Sequence, residues 1–172
     1  MTASTTAEVA PVTTDSQSFL LKRVQPALSG LMDGSLSTLA PIFAGVLATH
    51  HPLTAFYTGA ATALGAGVSM AFSEGLSDTG DLTGRGSPVL RGAITGGGTF
   101  AGGIFHALPF LIPGFSAAIA AAIIVVATEL LTLAYLRHKF FQTSFARSFV
   151  AVAVGGAIIA SLSAALGVLA AG

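Results

Sequence analysis

The 172-residue chain contains no cysteine and no tryptophan, and charged residues make up only 8% of it. Without thiols there are no disulfides, thiolate metal sites or cysteine nucleophiles, although this says nothing about compartment. Without tryptophan, any aromatic belt at a membrane interface falls to Phe and the two Tyr. Charge this sparse cannot cover the surface of a soluble domain. Seven basic residues balance seven acidic ones and are spread along the chain, so nucleic acid is not an expected partner. No nucleophile–base spacing and no closed metal-hydrolase motif is present, so enzymatic activity is not expected. What remains is apolar: 53% of the residues are hydrophobic and the mean hydropathy is +0.83. The composition is that of an all-α integral membrane protein, and the length suits one domain.

The start of the chain differs from the rest. Met1–Ser18 is rich in Thr, Ser and Ala and holds no Lys or Arg. It lacks the basic start and apolar run of a signal peptide, so residues 1–20 are expected to form a disordered cytosolic tail ahead of a membrane domain over 21–172. A span needs about 20 apolar residues. Polar breaks at His50-His51-Pro52, Asp78–Pro88, Pro113-Gly114 and Arg137–Ser144 leave five candidates: Pro26–Ala48, Leu53–Ser77, Val89–Ile112, Phe115–Leu136 and Phe145–Ala171. The third is the weakest, diluted by Gly96, Gly97, Gly98, Gly102 and Gly103.

The basic residues test this topology. Lys22 and Arg23 precede the first span, Arg85 and Arg91 flank the second connection, and Arg137, Lys139 and Arg147 flank the fourth. All fall on one side of a five-span arrangement, as the positive-inside rule requires of cytosolic loops, with the N-terminus inside and the C-terminus outside. Four or six spans would break the pattern. Gly59-Ala63-Gly67, Gly98-Gly102 and Gly155-Ile159-Ser163 repeat small residues at the spacing of close helix packing.

Besides Arg91 and Arg147 at span starts and the two Tyr, four ionisable residues lie within the spans: Asp33, Glu74, His106 and Glu129. Each costs about 2.5–3.5 kcal/mol at the bilayer centre, which makes each a functional candidate. Asp33 precedes His51 by eighteen residues, and reflection through that tight connection places Met70 at its level, with Glu74 one turn nearer the cytosol. Glu129 lies eight residues from Arg137, roughly 12 Å deep. Carboxylates suit Fe²⁺ and Mn²⁺, and a thioether favours Fe²⁺ over harder cations. Asp33, Met70 and Glu74 are therefore the candidate metal ligands. Glu129, His106, Asp78 and Asp81 are candidate proton or secondary metal groups. The alternatives stay open. Asp33 could cap a helix, Met70 could be core, Glu74 could sit at the interface, Glu129 could pair with a basic residue, and His106, near the outer face, could be a hydrogen-bonded packing residue. Asp78 and Asp81 could belong to a solvated turn, with Arg85 and Arg91 as headgroup anchors.

Leu31-Met32-Asp33-Gly34-Ser35-Leu36-Ser37, Gly67-Val68-Ser69-Met70-Ala71-Phe72-Ser73-Glu74 and Leu108-Pro109-Phe110-Leu111-Ile112-Pro113 resemble segments of the vacuolar iron transporter family, most closely its bacterial branch with ferritin-like fusions. The resemblance runs from about Leu28 to the C-terminus. It implies five helices, a homodimer with a metal path along the two-fold axis, and proton-coupled export of Fe²⁺ or Mn²⁺ from the cytosol. It also implies that Asp33 and Met70 are in-membrane metal ligands, with Glu74 the carboxylate that follows the methionine. Two departures matter. The stretch ahead of the spans has no Glu-x-x-His pair, so iron oxidation or storage is not expected. The second connection, Asp78–Pro88, is too short for the Glu-rich metal-binding domain of eukaryotic members. No permanently bound cofactor is expected; the metal is cargo. The expected surroundings are a lipid bilayer, with a bacterial cell inner membrane the best fit. A non-transporting structural or assembly protein and a passive cation channel are the competing functions.

Overall fold

The computed structural model describes residues 14–171 except residue 82. A short helix, α1 (Thr14–Phe19), runs through one π-helical turn (Leu20–Val24) into α2 (Gln25–Thr49). There follow α3 (Pro52–Gly75), α4 (Pro88–Ala107), a 3₁₀ turn (Leu108–Leu111), α5 (Phe115–Phe141) and α6 (Phe145–Ala171). Among the described residues there is no strand, so the all-helical expectation holds. Of the expected disordered tail, the part from Thr14 onward is helical, and residues 1–13 lie outside the described residues.

The punctuation of the sequence sets the helix ends. Proline stands in the first turn of α3 and of α4, where its missing N–H costs nothing. His50 adopts the left-handed conformation and ends α2, its N–H bonded to the Val46 carbonyl at 2.8 Å. Gly114, with φ +96°, turns the chain into α5, a conformation that a residue with a Cβ avoids.

Four helical segments are long and apolar enough to cross a membrane: Asp15–Thr49, Pro52–Gly75, Phe115–Phe141 and Phe145–Ala170. Helix α4 falls short on hydropathy, because glycines, threonines, Arg91 and His106 fill it. Its position compensates. At 20 residues it is about 30 Å long, the thickness of a bilayer's hydrocarbon core. It is buried at nearly every turn, through Arg91, Gly92, Thr95, Gly96, Thr99, Gly102, Gly103, His106 and Ala107.

Glycine makes that central position possible. On the α2 side, Gly30 and Gly34 meet the carbonyls of Thr95 and Thr99, while Gly98 and Gly102 meet those of Ala27 and Leu31. On the α3 side, Gly92 and Gly96 meet the carbonyls of Ala71 and Gly67. The backbones pack without intervening side chains, as in small-xxx-small interfaces. The Gly59-Ala63-Gly67 repeat is the buried face of α3, together with Ala55. The expected motif in α6 behaves differently. Gly155 has open space around it, and Gly167, against Ala44, makes the close approach to α2. A helix this uniformly small and apolar does not reveal its packing face by spacing.

Contacts along the bundle show the chain direction. Gly30 and Gly34 climb α4 together, Gly67 and Ala71 descend it, and Gly156 and Gly167 climb α2 past Leu36 and Ala44. Thus α2, α4 and α6 run parallel, and α3 and α5 run against them. One end of the bundle is apolar, closed by Ile42, Val46, Ala55, Ala107, Phe110, Ala118 and Ala122. Every Lys and Arg lies toward the other end. The outer faces are apolar too: Leu53, Tyr57, Leu64, Val68, Phe72 and Leu76 form an exposed stripe on α3, and Val150, Val154, Ile158 and Leu162 another on α6. Such faces are solvated by lipid rather than water.

Replacing Gly34 with Ala is expected to cost about 1–3 kcal/mol, because its methyl collides with the Thr99 carbonyl of an immovable backbone. Gly97→Ala, into open space on the same bundle, is expected to cost nothing. Thermal unfolding of both variants in lipid or mild detergent provides the comparison.

Candidate functional site

Among the described residues, two clusters gather the partly buried carboxylates of the bundle with their partners, and one carboxylate stands apart from both. The first cluster ties the α3–α4 connection to the helices. Glu74, in the last turn of α3, accepts from Arg85 Nη2 at 2.6 Å and from Arg91 Nε at 2.9 Å. Asp78 receives Arg85 Nη1 at 3.1 Å, Arg91 Nη2 at 3.2 Å and the Thr83 hydroxyl at 3.0 Å. Arg91 also donates to the carbonyls of Gly86 and Asp78. Its side chain is only 1% exposed, so a fully buried guanidinium is enclosed by two carboxylates and loop carbonyls. Arg91 is therefore not the headgroup anchor that the sequence suggested, and Arg85 is drawn inward with it. The signal was present: Arg91, Thr95, Thr99 and Gly103 recur every fourth residue on the buried face of α4. Gly80 makes the fold of this loop possible, since a side chain there would strike the Gly86 carbonyl.

Desolvation alone would raise Asp78. The hydrogen bonds from Thr83 and the Gly80 N–H, with the charges of Arg91 and Arg85, outweigh it and hold the carboxyl below its ordinary value of 3.8. Asp81 is exposed in the same loop.

The second cluster lies in the interior and joins three helices. Glu129 of α5 contacts the Ser35 hydroxyl of α2 through Oε1, and its Oε2 lies 3.2 Å from His106 Nδ1 of α4. His106 is 2% exposed, and its Nδ1 also meets the Gly102 carbonyl at 3.0 Å. These two residues were expected at different depths. They meet because helical side chains lean toward their own N-terminus, so on antiparallel helices His106 and Glu129 lean toward each other. His106 is thus a buried, hydrogen-bonded histidine, and Glu129 has Ser35 and His106 beside it rather than a Lys or Arg. Ser35 lay inside the Asp-Gly-Ser motif but was not singled out.

Asp33 stands apart. It sits eight residues into α2, so it caps no helix end. It is half-buried, and no ion pair or hydrogen bond reaches it among the described residues. Arg137, at the end of α5, turns to the sulfur of Met32, the residue before Asp33 in sequence, at 3.5 Å. Met70 is likewise half-buried. The levels of Asp33 and Met70 follow from α4: Gly34 packs on Thr99 and Gly67 on Phe100, which puts the two residues within about one helical turn of a common height. No polar contact joins them, and Glu74 is occupied by its arginines. Among the described residues, no three His, Asp or Glu side chains converge on a point that would hold a metal ion. The chain matches no family model, no curated protein and no solved structure.

Glu74→Gln, which leaves the buried Arg91 short of a charged acceptor, is expected to destabilise the protein by about 2 kcal/mol. Arg85→Ala, at a more exposed position, is expected to cost less. Because Asp78 is depressed in the folded protein, its stabilising contribution is complete above its ordinary value of 3.8 and disappears as pH falls through the lower folded value. Thermal unfolding between pH 5 and pH 2, compared with Asp78→Asn, isolates that contribution.

Proposed function

We propose that the chain is a secondary transporter that carries a divalent cation, Fe²⁺ or Mn²⁺, out of the cytosol in exchange for protons. The observation that carries this is Asp33. Glu74, Asp78 and Glu129 all have side chains of this chain beside them, whereas Asp33, the remaining described carboxylate inside a long helix, has no partner. An unpaired carboxylate midway along an apolar helix costs about 2.5–3.5 kcal/mol, which a passing cation or a proton recovers. Met70 at nearly the same height offers a soft donor, and the resemblance to the vacuolar iron transporter family points to the same pair.

One copy supplies too few ligands. A homodimer with Asp33 and Met70 duplicated about a two-fold axis would complete the site, and their half-exposed positions leave them free to face a second copy. We assign α4 as the fifth span, because it packs between α2 and α3 over its whole length. The end rich in Lys and Arg then faces the cytosol, the C-terminus lies outside, and a bacterial inner membrane is the expected location. Glu74 in this scheme keeps a secondary role, since release of its arginines would have to precede any metal contact.

The competing reading is a non-transporting membrane scaffold, favoured by the internal pairing of Glu74, Asp78 and Glu129. A passive cation channel is separated from an antiporter by its indifference to an imposed pH gradient.

Proteoliposomes loaded with a metal-sensitive dye and given a pH gradient are expected to take up Fe²⁺ and Mn²⁺ with the parent chain. Asp33→Asn, which keeps shape but loses charge, should abolish uptake of both. Met70→Leu should weaken Fe²⁺ more than Mn²⁺, because only the soft donor is lost. Equal uptake by parent and Asp33→Asn would refute the site. Cross-linking in lipid should give dimers, and a C-terminal reporter that works only in the cytosol should stay silent.

A further inference from the structure

The Ser35–Glu129–His106 cluster has a shortage of hydrogens. Ser35 has one hydroxyl hydrogen and two acceptors in reach, the Leu31 carbonyl at 2.6 Å and Glu129 Oε1. His106 Nδ1 bonds the Gly102 carbonyl at 3.0 Å and lies 3.2 Å from Glu129 Oε2, a buried oxygen with no hydrogen-bond partner among the described residues. A carbonyl only accepts, so Nδ1 must carry the ring hydrogen. Two hydrogens therefore serve three hydrogen-bond contacts, and Glu129 Oε2 is left without a donor. Backbone carbonyls cannot supply a third, but a carboxyl can. A proton on Glu129 Oε1 donates to Ser35, whose own hydrogen then goes to the Leu31 carbonyl, and both contacts of the Ser35 hydroxyl are satisfied.

That arrangement also leaves the cluster uncharged. Titratable groups on the surrounding helices do not provide a counter-charge. In α2 the only one is Asp33, two residues from Ser35 and about 200° away around the helix axis. In α3 they are Tyr57 and Glu74, the latter bound to its arginines; in α4, beside His106, there is only Arg91, held in that same cluster. In α5, Tyr135, Arg137, His138 and Lys139 lie in the last two turns, and in α6 Arg147 lies in the first. An open cleft of about 430 Å³ has Glu129, Thr128 and Thr132 in a wall that is otherwise apolar, with Leu31, Phe105 and Val125 among its residues, and it opens the carboxyl to the outside of the bundle.

We propose that Glu129 is the proton-carrying group of the exchange: Oε1 holds a proton that hydrogen-bonds to the Ser35 oxygen and leaves from the carboxyl itself into this cleft, while His106 lies beside Oε2. Loss of the proton leaves a carboxylate, and the Ser35 hydrogen turns from the Leu31 carbonyl to Glu129. The change is thereby felt in α2, in the turn that also carries Asp33. The proton's role in exchange rests on the transporter reading, whereas the existence of the proton site does not.

The test has two arms. Infrared difference titration of the purified chain in lipid should show the carbonyl stretch of a protonated carboxyl at neutral pH. Glu129→Gln should remove that band, Ser35→Ala should shift its frequency, and Asp33→Asn should leave it in place. In proteoliposomes, Glu129→Gln should lose pH-driven metal uptake. A spectrum that Glu129→Gln leaves unchanged would overturn the proton site. A lost band with pH-driven uptake intact would overturn its role in exchange. If the parent moves no metal under any gradient while the band is lost in Glu129→Gln, the transporter reading and the role in exchange fall, and the proton site stands.

Discussion

Helix α4 can lie between α2 and α3 only because the three backbones touch. Gly30, Gly34, Gly98 and Gly102 on one side, and Gly67, Gly92 and Gly96 on the other, place carbonyls where any side chain would collide. In a membrane the hydrophobic effect does not drive helices together, so this kind of close packing has to. The consequence reaches beyond stability. Close backbone contact fixes the relative heights of α2, α3 and α4, and with them the heights of every polar residue those helices carry. A sliding interface of large, flexible side chains would leave Asp33 and Met70 without a defined relation.

The same central helix explains why two costly residues are tolerated. Arg91 enters the bundle one turn into α4 and is met there by Glu74 and Asp78; His106 enters near the opposite end and is met by Glu129. Desolvating an isolated charge costs several kcal/mol, and only a partner with good geometry offsets it. α4 is poor in hydropathy because its polar residues are addressed to its neighbours rather than to lipid. Hydropathy counts composition and not partners, so a helix of this kind registers weakly as a span.

Much of this was legible in the sequence. The helix boundaries followed from Pro52, Pro88, His50 and Gly114, and the common height of Asp33 and Met70 followed from reflection through a tight connection. Gly59-Ala63-Gly67 announced its own buried face. The pairings were not legible. Glu74 was grouped with Asp33 as a candidate ligand, one turn nearer the cytosol, and the loop fold that brings Arg85 and Arg91 onto it is what sets it apart. His106 and Glu129 were placed at different depths because depth was counted at the Cα, whereas their long side chains lean a turn toward each other. In α6, a run of Ala, Gly, Val, Ile and Leu has no face that spacing can identify, so Gly155 was chosen where Gly167 makes the contact.

The contrast between Asp33 and Glu129 is the most informative feature of the bundle, because the two carboxyls occupy similar apolar surroundings and are treated oppositely. Glu129 is enclosed by donors and acceptors from two other helices, an arrangement that suits a small ligand able to sit between oxygens, which is a proton. Asp33 is left half-open with no partner, an arrangement that suits a ligand arriving from outside the chain and needing further oxygens or a thioether, which is a cation. Ser35 and Asp33 lie about 200° apart on one helix, so the two environments are back to back. A rigid α2, held by backbone contact to α4, cannot relax around one site without moving the other. In the proposed exchange, coupling between proton and cation would need no long chain of intermediaries: one helix with two faces would be enough.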